Sequence, residues 1–369
     1  MTVRRKLLNF GSRSTDYRIG HEAFAELPRL VQGAVAKPRR AVLAAEEDVD
    51  ADVRLEVSRS LVDAGFQVLD HTLPAAGRPV GIDDAVALLG ALEEGGVTSD
   101  DAIVALGGMG ACSAGAFCAR AWCGGTALVC VPTTLDAMVR CPFEMDALAA
   151  AGSPSMLSLA PEAALVVADI DLALDATFEE RATGLVQIVA AHLAESRRFW
   201  EKLPGDIERM GADDGLALIE LTSAALTSRL NTVKSVSPSA RKAASFGLTS
   251  ARALRRLLGP EPPWHRLLAE GMRFEARLAV DACEFSVEDV FALDDRLEEL
   301  GIGELGFELA PERFIEALKD ERFKRSNRFL LPLPKHPGTI RLALVEDDLL
   351  ERHARAYLDS RSELAREGA

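Results

Sequence analysis

AIVALGGMGACSAGAFCARAWCGGTALVCVPTTLDAMV, residues Ala102 to Val139, is the stretch of this 369-residue chain from which its fold is read. It predicts an apolar strand at Ala102 to Leu106 and a glycine turn at Gly107, Gly108 and Gly110. A small-residue helix follows at Cys112 to Trp122, then a second apolar strand at Ala127 to Val131 that ends on Pro132-Thr133-Thr134. A strand that runs into glycines and then a helix presents free backbone N–H groups at the helix N-terminus. With the helix dipole, those groups suit a phosphate. Glycine permits positive φ and close approach of a ligand to the backbone. Gly-Gly-x-Gly is not the full dinucleotide fingerprint, and it lies about a hundred residues into the chain rather than at the first strand–helix turn. A turn that needs glycine for geometry alone is the competing reading.

Working outward, an edge strand is expected at Asp16 to Ile19, and further strands at Arg40 to Ala45, Phe66 to His71 and Ala164 to Ala168. Helices are expected at Glu22 to Gln32, Asp52 to Ala64 and Asp83 to Glu94. Strands alternating with helices give a parallel sheet with right-handed crossovers. Residues 1–172 therefore read as a Rossmann-like α/β domain suited to a nucleotide. Such sheets bind ligands beyond the carboxyl ends of their strands, an edge that here holds Gly107 to Gly110 and Thr133-Thr134.

From 173 to 369 the alternation stops and an all-α domain is expected. Phe178 to Leu203 reads as one long helix with an apolar stripe at Leu185, Ile188, Val189, His192 and Leu193. Further helices are predicted at Asp213 to Lys234, Ser239 to Leu258, Trp264 to Ala282, Val287 to Leu300, Pro311 to Lys319 and Glu346 to Ala365. Pro204-Gly205, Gly259-Pro260 and Pro262-Pro263 mark boundaries. Phe329 to Leu333 and Thr339 to Val345 suggest a hairpin around Lys335-His336-Pro337-Gly338.

Composition narrows the function. With 42 Lys and Arg against 57 Asp and Glu, the formal charge is −15, which argues against a nucleic-acid or anionic-membrane surface. No apolar run approaches the length that spans a bilayer, and the N-terminus lacks the apolar core of a signal peptide, so a cytoplasmic protein is expected. Five of the six cysteines (Cys112, Cys118, Cys123, Cys130, Cys141 and Cys283) fall within thirty residues, without a Cys-x-x-Cys pair. They read as small buried hydrophobes, with a reactive thiol as the lesser alternative.

The order of these pieces resembles the 3-dehydroquinate synthase family of sugar-phosphate cyclases and, more distantly, the glycerol dehydrogenases. The likeness rests on GGMGACSAGAFCARAWCGG, on Pro132-Thr133-Thr134-Leu135-Asp136-Ala137, and on ERATGLVQIVAAHLAESRRFWEKL. Phe246-Gly247-Leu248-Thr249 and Glu270-Gly271-Met272 complete it. The resemblance implies a dehydroquinate synthase-like fold, a homodimer, and a small phosphorylated or carboxylated ligand. It also implies NAD as a cofactor at Gly107, Gly108, Gly110, Thr133, Thr134 and Leu135.

The family's chemistry is matched less well. Its zinc-binding Glu corresponds to Gln187 and its first His to Leu248; the second falls at Trp264 or, with a one-residue shift, at His265. Neutral Gln is a poor zinc ligand and Leu is none, so no family-type zinc is expected. Ser113 stands for an Asp, Arg140 for another Asp and Ala190 for a Lys, while Glu144-Met145-Asp146 replaces a Gly-Gly-Lys. Arg241 matches a family Arg before Phe-Gly, though Ser245 replaces the Asn there. Each charge-assisted contact to a phosphate or carboxylate is worth only ~1.5–3 kcal/mol, so the loss of two lysines leaves the standard substrate poorly served.

Three readings stay open. The first is a divergent, zinc-free cyclase-type enzyme that still binds a nucleotide, with His265 as the acid–base candidate and Arg241 as an anion contact. The second is an inactive family member that acts as a binding or structural subunit. The third is a glycerol or alcohol dehydrogenase-like enzyme, which lacks obvious ligands. His192, on the apolar stripe, reads as a satisfied core histidine, and Asp136 and Asp146 as helix caps, with cation binding as the lesser alternative.

Overall fold

Strands that are apolar from end to end must be covered on both faces, and the central strands of this chain are. The computed structural model describes residues 3–35, 37, 39–146, 148–150, 153–157, 159–211 and 215–367. By internal contacts the chain separates into two units, Met1–Gly184 and Leu185–Ala369, a division inside a helix rather than at residue 172.

The first unit runs β1 (Arg4–Asn9), β2 (Ser14–Gly20), α1 (Leu27–Ala34), β3 (Arg40–Glu46), α2 (Ala51–Asp63), β4 (Gln67–Leu73) and α3 (Ile82–Glu94). It continues through β5 (Ala102–Gly107), α4 (Met109–Ala121), β6 (Ala127–Pro132), α5 (Leu135–Arg140), β7 (Leu148–Ala150), β8 (Ser153–Leu157), β9 (Leu165–Asp169) and α6 (Ile170–Asp175). Seven strands form one sheet in the order β1-β2-β9-β6-β5-β3-β4. The β1–β2 pair is antiparallel and every other pair is parallel. Leu43, Val104, Leu106, Val129 and Val167 of the sheet pack with Leu27, Val31, Val57 and Leu61 of α1 and α2. Burying each such side chain stabilises by ~1.5–3 kcal/mol. The small residues of α4 let it press against the sheet: a Cβ added at Gly115 would lie 2.8 Å from that of Ala105.

The chain leaves β3 for β4 on one side and β5 for β6 on the other. The gap between β3 and β5 is thus the topological switch point, where such sheets hold ligands. Ala45 pairs with Leu106, so Glu46 and Gly107 leave the sheet side by side.

The first-unit elements β1, β7, β8, α5 and α6 have no counterpart in the sequence reading. β1 is an exposed edge strand in which only Leu8 is buried, so it carries no alternating apolar pattern, and it leaves β2 internal rather than at the edge expected for Asp16 to Ile19. The β7–β8 pair is short and antiparallel.

The second unit takes over within α7 (Phe178–Glu195) and continues with α8 (Arg197–Gly211), α9 (Gly215–Lys234), α10 (Pro238–Arg241), α11 (Leu248–Leu258) and α12 (Trp264–Cys283). It ends with α13 (Val287–Glu299), α14 (Pro311–Phe323), the antiparallel hairpin β10 (Leu330–His336) and β11 (Thr339–Leu344), and α15 (Asp347–Glu367). The expected single helix from Phe178 to Leu203 is two helices, and Pro204 lies inside the second rather than at a boundary. The break falls at Ser196, whose hydroxyl accepts from the Phe199 N–H at 3.3 Å, while the hairpin's Gly338 N–H takes the Leu193 carbonyl at 2.7 Å. Pro204 is tolerated because the Trp200 carbonyl it leaves without an N–H is taken by the Arg296 guanidinium at 3.2 Å. The helix expected from Ser239 stops at Arg241 and resumes only after Gly247, where φ is +77°. The start expected at Asp213 lies outside the described residues. No described helix is long and apolar enough to cross a membrane.

Candidate functional site

Helix α4 begins at Gly108, which has no side chain to cap it, so its first N–H groups need an acceptor from elsewhere. They find Glu46. Its Oε2 accepts from the Gly108 N–H at 2.8 Å and its Oε1 from the Ala111 N–H at 2.9 Å. The glycines make this geometry possible. At Gly107, whose φ is +145°, a Cβ would come within 2.7 Å of Glu46 Oε2, and at Gly110 within 2.8 Å of Oε1. The carboxylate thus lies in a cradle of bare backbone at the switch point, 4% exposed. Burial pushes its carboxyl above the ordinary value and the charge of Asp48 adds to the rise, while the two N–H groups pull it down.

The six sequence-predicted cofactor residues gather at this edge. Gly107, Gly108 and Gly110 form the cradle. The Gly107 carbonyl accepts from the Thr133 N–H at 3.0 Å. Thr134 caps α5 by accepting from the Ala137 N–H at 3.2 Å. Leu135 differs: its side chain is buried in the core, and a Cβ on Gly184 would lie 2.5 Å from it, so Leu135 can offer a ligand only its backbone.

Beyond the threonines one guanidinium is surrounded by three carboxylates, an excess of negative charge. Arg140 pairs with Asp136 at 2.9 Å, Glu144 at 3.1 Å and, most closely, Asp146. Asp136 and Asp146 are therefore ion-pair partners and not the helix caps that their positions suggested; the α5 cap is Thr134. Ser113 Oγ accepts from the Asp146 N–H at 2.8 Å and ties this acidic loop to α4. These three carboxylates hold the Arg140 guanidinium charged even though burial opposes it.

In the second unit, buried Gln187 on α7 accepts through Oε1 from Arg229 Nη2 on α9 at 2.6 Å. Leu248 is the first residue of α11, and His265, buried, lies in the first turn of α12. His192 Nδ1 donates to the Ile188 carbonyl at 2.8 Å, and burial pulls its pKa down, as suits a core histidine. Arg241 is exposed at the end of α10 and donates to the Ser235 carbonyl at 3.0 Å. A cavity of about 550 Å³ bordered by Glu195, Asn231, Ser237 and Arg341 has neither Arg241 nor His265 in its wall.

The two glycine landmarks of this unit meet each other. A Cβ on Gly271 would lie 2.1 Å from the Gly247 carbonyl oxygen. Beside them, Glu275 of α12 accepts from the Gly247 N–H at 2.7 Å and the Ser250 hydroxyl at 2.8 Å. Burial pushes this carboxyl up to about 7 against those hydrogen bonds.

Glu46, Arg229 and Glu275 were not singled out from the sequence. Glu46 carried a usable signal, an acid closing the otherwise apolar strand RAVLAAE; the others are polar residues inside helices whose partners only the packing reveals.

No family model matches the chain. The 3-dehydroquinate synthase of Syntrophotalea carbinolica is 22% identical over 346 residues, 92% of this chain and 94% of that one. Among solved structures, 2-deoxy-scyllo-inosose synthase complexed with carbaglucose-6-phosphate, NAD+ and Co2+ superposes with a TM-score of 0.83 at 15% identity, covering 96% of this chain and all of the other. The 2-epi-5-epi-valiolone synthase of Streptomyces hygroscopicus subsp. jinggangensis 5008, with NAD+ and Zn2+ bound, gives a TM-score of 0.79 at 17% identity over 95% of this chain and 97% of that one. This chain therefore has the dehydroquinate synthase-like fold of the sugar-phosphate cyclases, and its sequence is similar to the 3-dehydroquinate synthases.

Proposed function

We propose that the protein is a divergent sugar-phosphate cyclase-type enzyme that binds NAD at the Gly107–Gly110 cradle and acts without the family's zinc on a small phosphorylated or carboxylated molecule. The observation that carries this is the pair of hydrogen bonds from Gly108 and Ala111 to a carboxylate, because a cradle that holds one anion by bare N–H groups has the chemistry to hold a phosphate. NAD fits the cradle only with Glu46 withdrawn, since a pyrophosphate and this carboxylate repel each other and compete for the same donors. Bound there, NAD would supply a hydride acceptor.

A family-type zinc does not fit. Of the three corresponding positions, Gln187 gives its oxygen to a guanidinium, Leu248 offers no donor, and a single imidazole at His265 cannot hold the ion tightly. A cation at Arg229 next to the Gln187 oxygen also opposes a dication there. No step is assigned to a metal. His265 remains the acid–base candidate and Arg241 an anion contact. The dehydrogenase-like reading needs the same carboxylate and histidines and is the weakest of the three. The second reading, an inactive binding or structural subunit, is favoured by Glu46 filling the cradle.

Thermal shift with NAD separates these two. Ligand at ~100 times its dissociation constant adds about 2.7 kcal/mol, on the order of several degrees in a domain of this size. We expect a small response from the unaltered protein and a larger one from Glu46→Ala. If neither responds at millimolar NAD, the subunit reading stands and the enzyme reading fails. Elemental analysis should find well below one zinc per chain; a full equivalent of tightly held zinc overturns the zinc-free assignment. Little or no phosphate release is expected from the seven-carbon sugar phosphate of the 3-dehydroquinate synthases.

A further inference from the structure

Three of the cysteines that read as isolated small hydrophobes converge in the first unit. Cys112 lies in α4, Cys130 in β6, and Cys141 directly after α5. All three are buried, and their Sγ atoms lie within 4.8 Å of one another. The centre of such a triangle is at most about 2.8 Å from each sulfur, against ~2.3 Å for a formed metal–thiolate bond. Trivalent arsenic sits above the plane of its three sulfurs, so the side chains must also turn to draw the sulfurs together as it binds. Among the described residues no fourth His, Cys, Asp or Glu joins the group.

We propose that Cys112, Cys130 and Cys141 bind one trivalent arsenic, taken up as arsenous acid, through three sulfurs. Charge favours a trivalent ion over zinc or univalent copper here. Three thiolates around zinc leave a net −1 and an unfilled fourth position; around univalent copper they leave −2. Such charge is costly in a buried site, and the ionisable neighbours do not offset it. The Tyr17 phenol, close to all three sulfurs, is committed to the Met138 carbonyl at 2.7 Å. Asp136, which faces Cys141, is itself negative and is paired with Arg140. Trivalent arsenic with three thiolates is neutral. The exchange is balanced and involves no electron transfer: three As–O bonds give way to three As–S bonds, and each thiol proton leaves with a hydroxide as water. The product would join α4, β6 and α5, the elements that carry the glycine cradle and the two threonines.

The test uses the reduced full chain, incubated with excess arsenite and desalted. We expect one arsenic per chain by elemental analysis and a melting temperature raised by several degrees. Native mass spectrometry should show an added mass of one arsenic less three hydrogens, and X-ray absorption three sulfur neighbours. Cys130→Ala should weaken retention at least tenfold, while Cys118→Ala, which alters a buried cysteine outside the triad, should retain the full equivalent. No retained arsenic, two sulfurs with a residual hydroxyl, undiminished retention in Cys130→Ala, or retention of zinc in preference to arsenic each overturns the proposal. Should Cys130→Ala fail to fold, the mass and the sulfur count on the unaltered protein decide alone.

Discussion

Helices α4 and α11 meet the same problem and solve it with the same group, yet only one solution lies where a site is proposed. Each begins at a glycine that cannot cap it, Gly108 or Gly247, and each borrows a buried carboxylate from a distant element, Glu46 or Glu275. Glu275 has no exposed surface and is wedged beside a contact between two backbones, with Gly271 against Gly247. Nothing can replace it there without moving a helix. Glu46 stands at the open edge of a parallel sheet, and what fills its cradle is the far end of a flexible side chain. Withdrawal of that one side chain exposes N–H groups already arranged for an anion. The difference between a structural cap and a replaceable plug lies in what surrounds the carboxylate, not in the carboxylate itself.

The sharpest test of this contrast is at the backbone contact. Gly271→Ala places a Cβ 2.1 Å from a carbonyl oxygen that cannot rotate away. Overpacking of this kind costs ~3 kcal/mol or more, so the melting temperature should fall by roughly ten degrees, or the unit should not fold. An alanine variant as stable as the parent would show that α11 and α12 slide freely, and the contrast would fail.

Glu275 provides the next effect. Its carboxyl rises from an ordinary 4.5 to about 7 in the folded chain, so the folded state binds the extra proton between those values. Stability from this group is fully present below the unfolded pKa and is lost as pH rises towards and through 7. The loss amounts to up to ~3 kcal/mol. Glu275→Gln, which keeps an acceptor but no charge, should flatten urea-measured stability between pH 5 and pH 8, a span of about three units around this transition. An unchanged slope in the variant would assign the pH dependence to other groups.

Glu46→Ala should have the smallest effect on stability, ~1 kcal/mol, because water or a solute anion can reach the freed N–H groups. A loss as large as that for Gly271→Ala would make Glu46 a structural cap like Glu275 and remove the case for a cradle.

Much of this was legible in the residues. The parallel sheet followed from apolar runs at Arg40, Ala102, Ala127 and Ala164 alternating with helical stretches, and the glycine turn lies at the sheet edge where Glu46 meets the start of α4. Helix breaks were less legible. Pro204 looked like a boundary because its cost depends on whether the Trp200 carbonyl finds another donor, and Arg296, far along the chain, supplies one. Asp136 and Asp146 looked like caps because their attraction to Arg140 depends on how the loop folds back.

What the sequence by itself determined is local: the strand and helix periods, the positive-φ glycines, and the serial landmarks shared with the cyclases. Which side chains meet was decided only by the tertiary structure. Glu46 precedes Gly108 by 62 residues, and β3 and β5 become neighbours only because the chain crosses β3 on its way from β4. Periodicity records which face of an element is buried; it carries no information about the partner opposite that face, because crossovers join residues whose spacing along the chain follows no period.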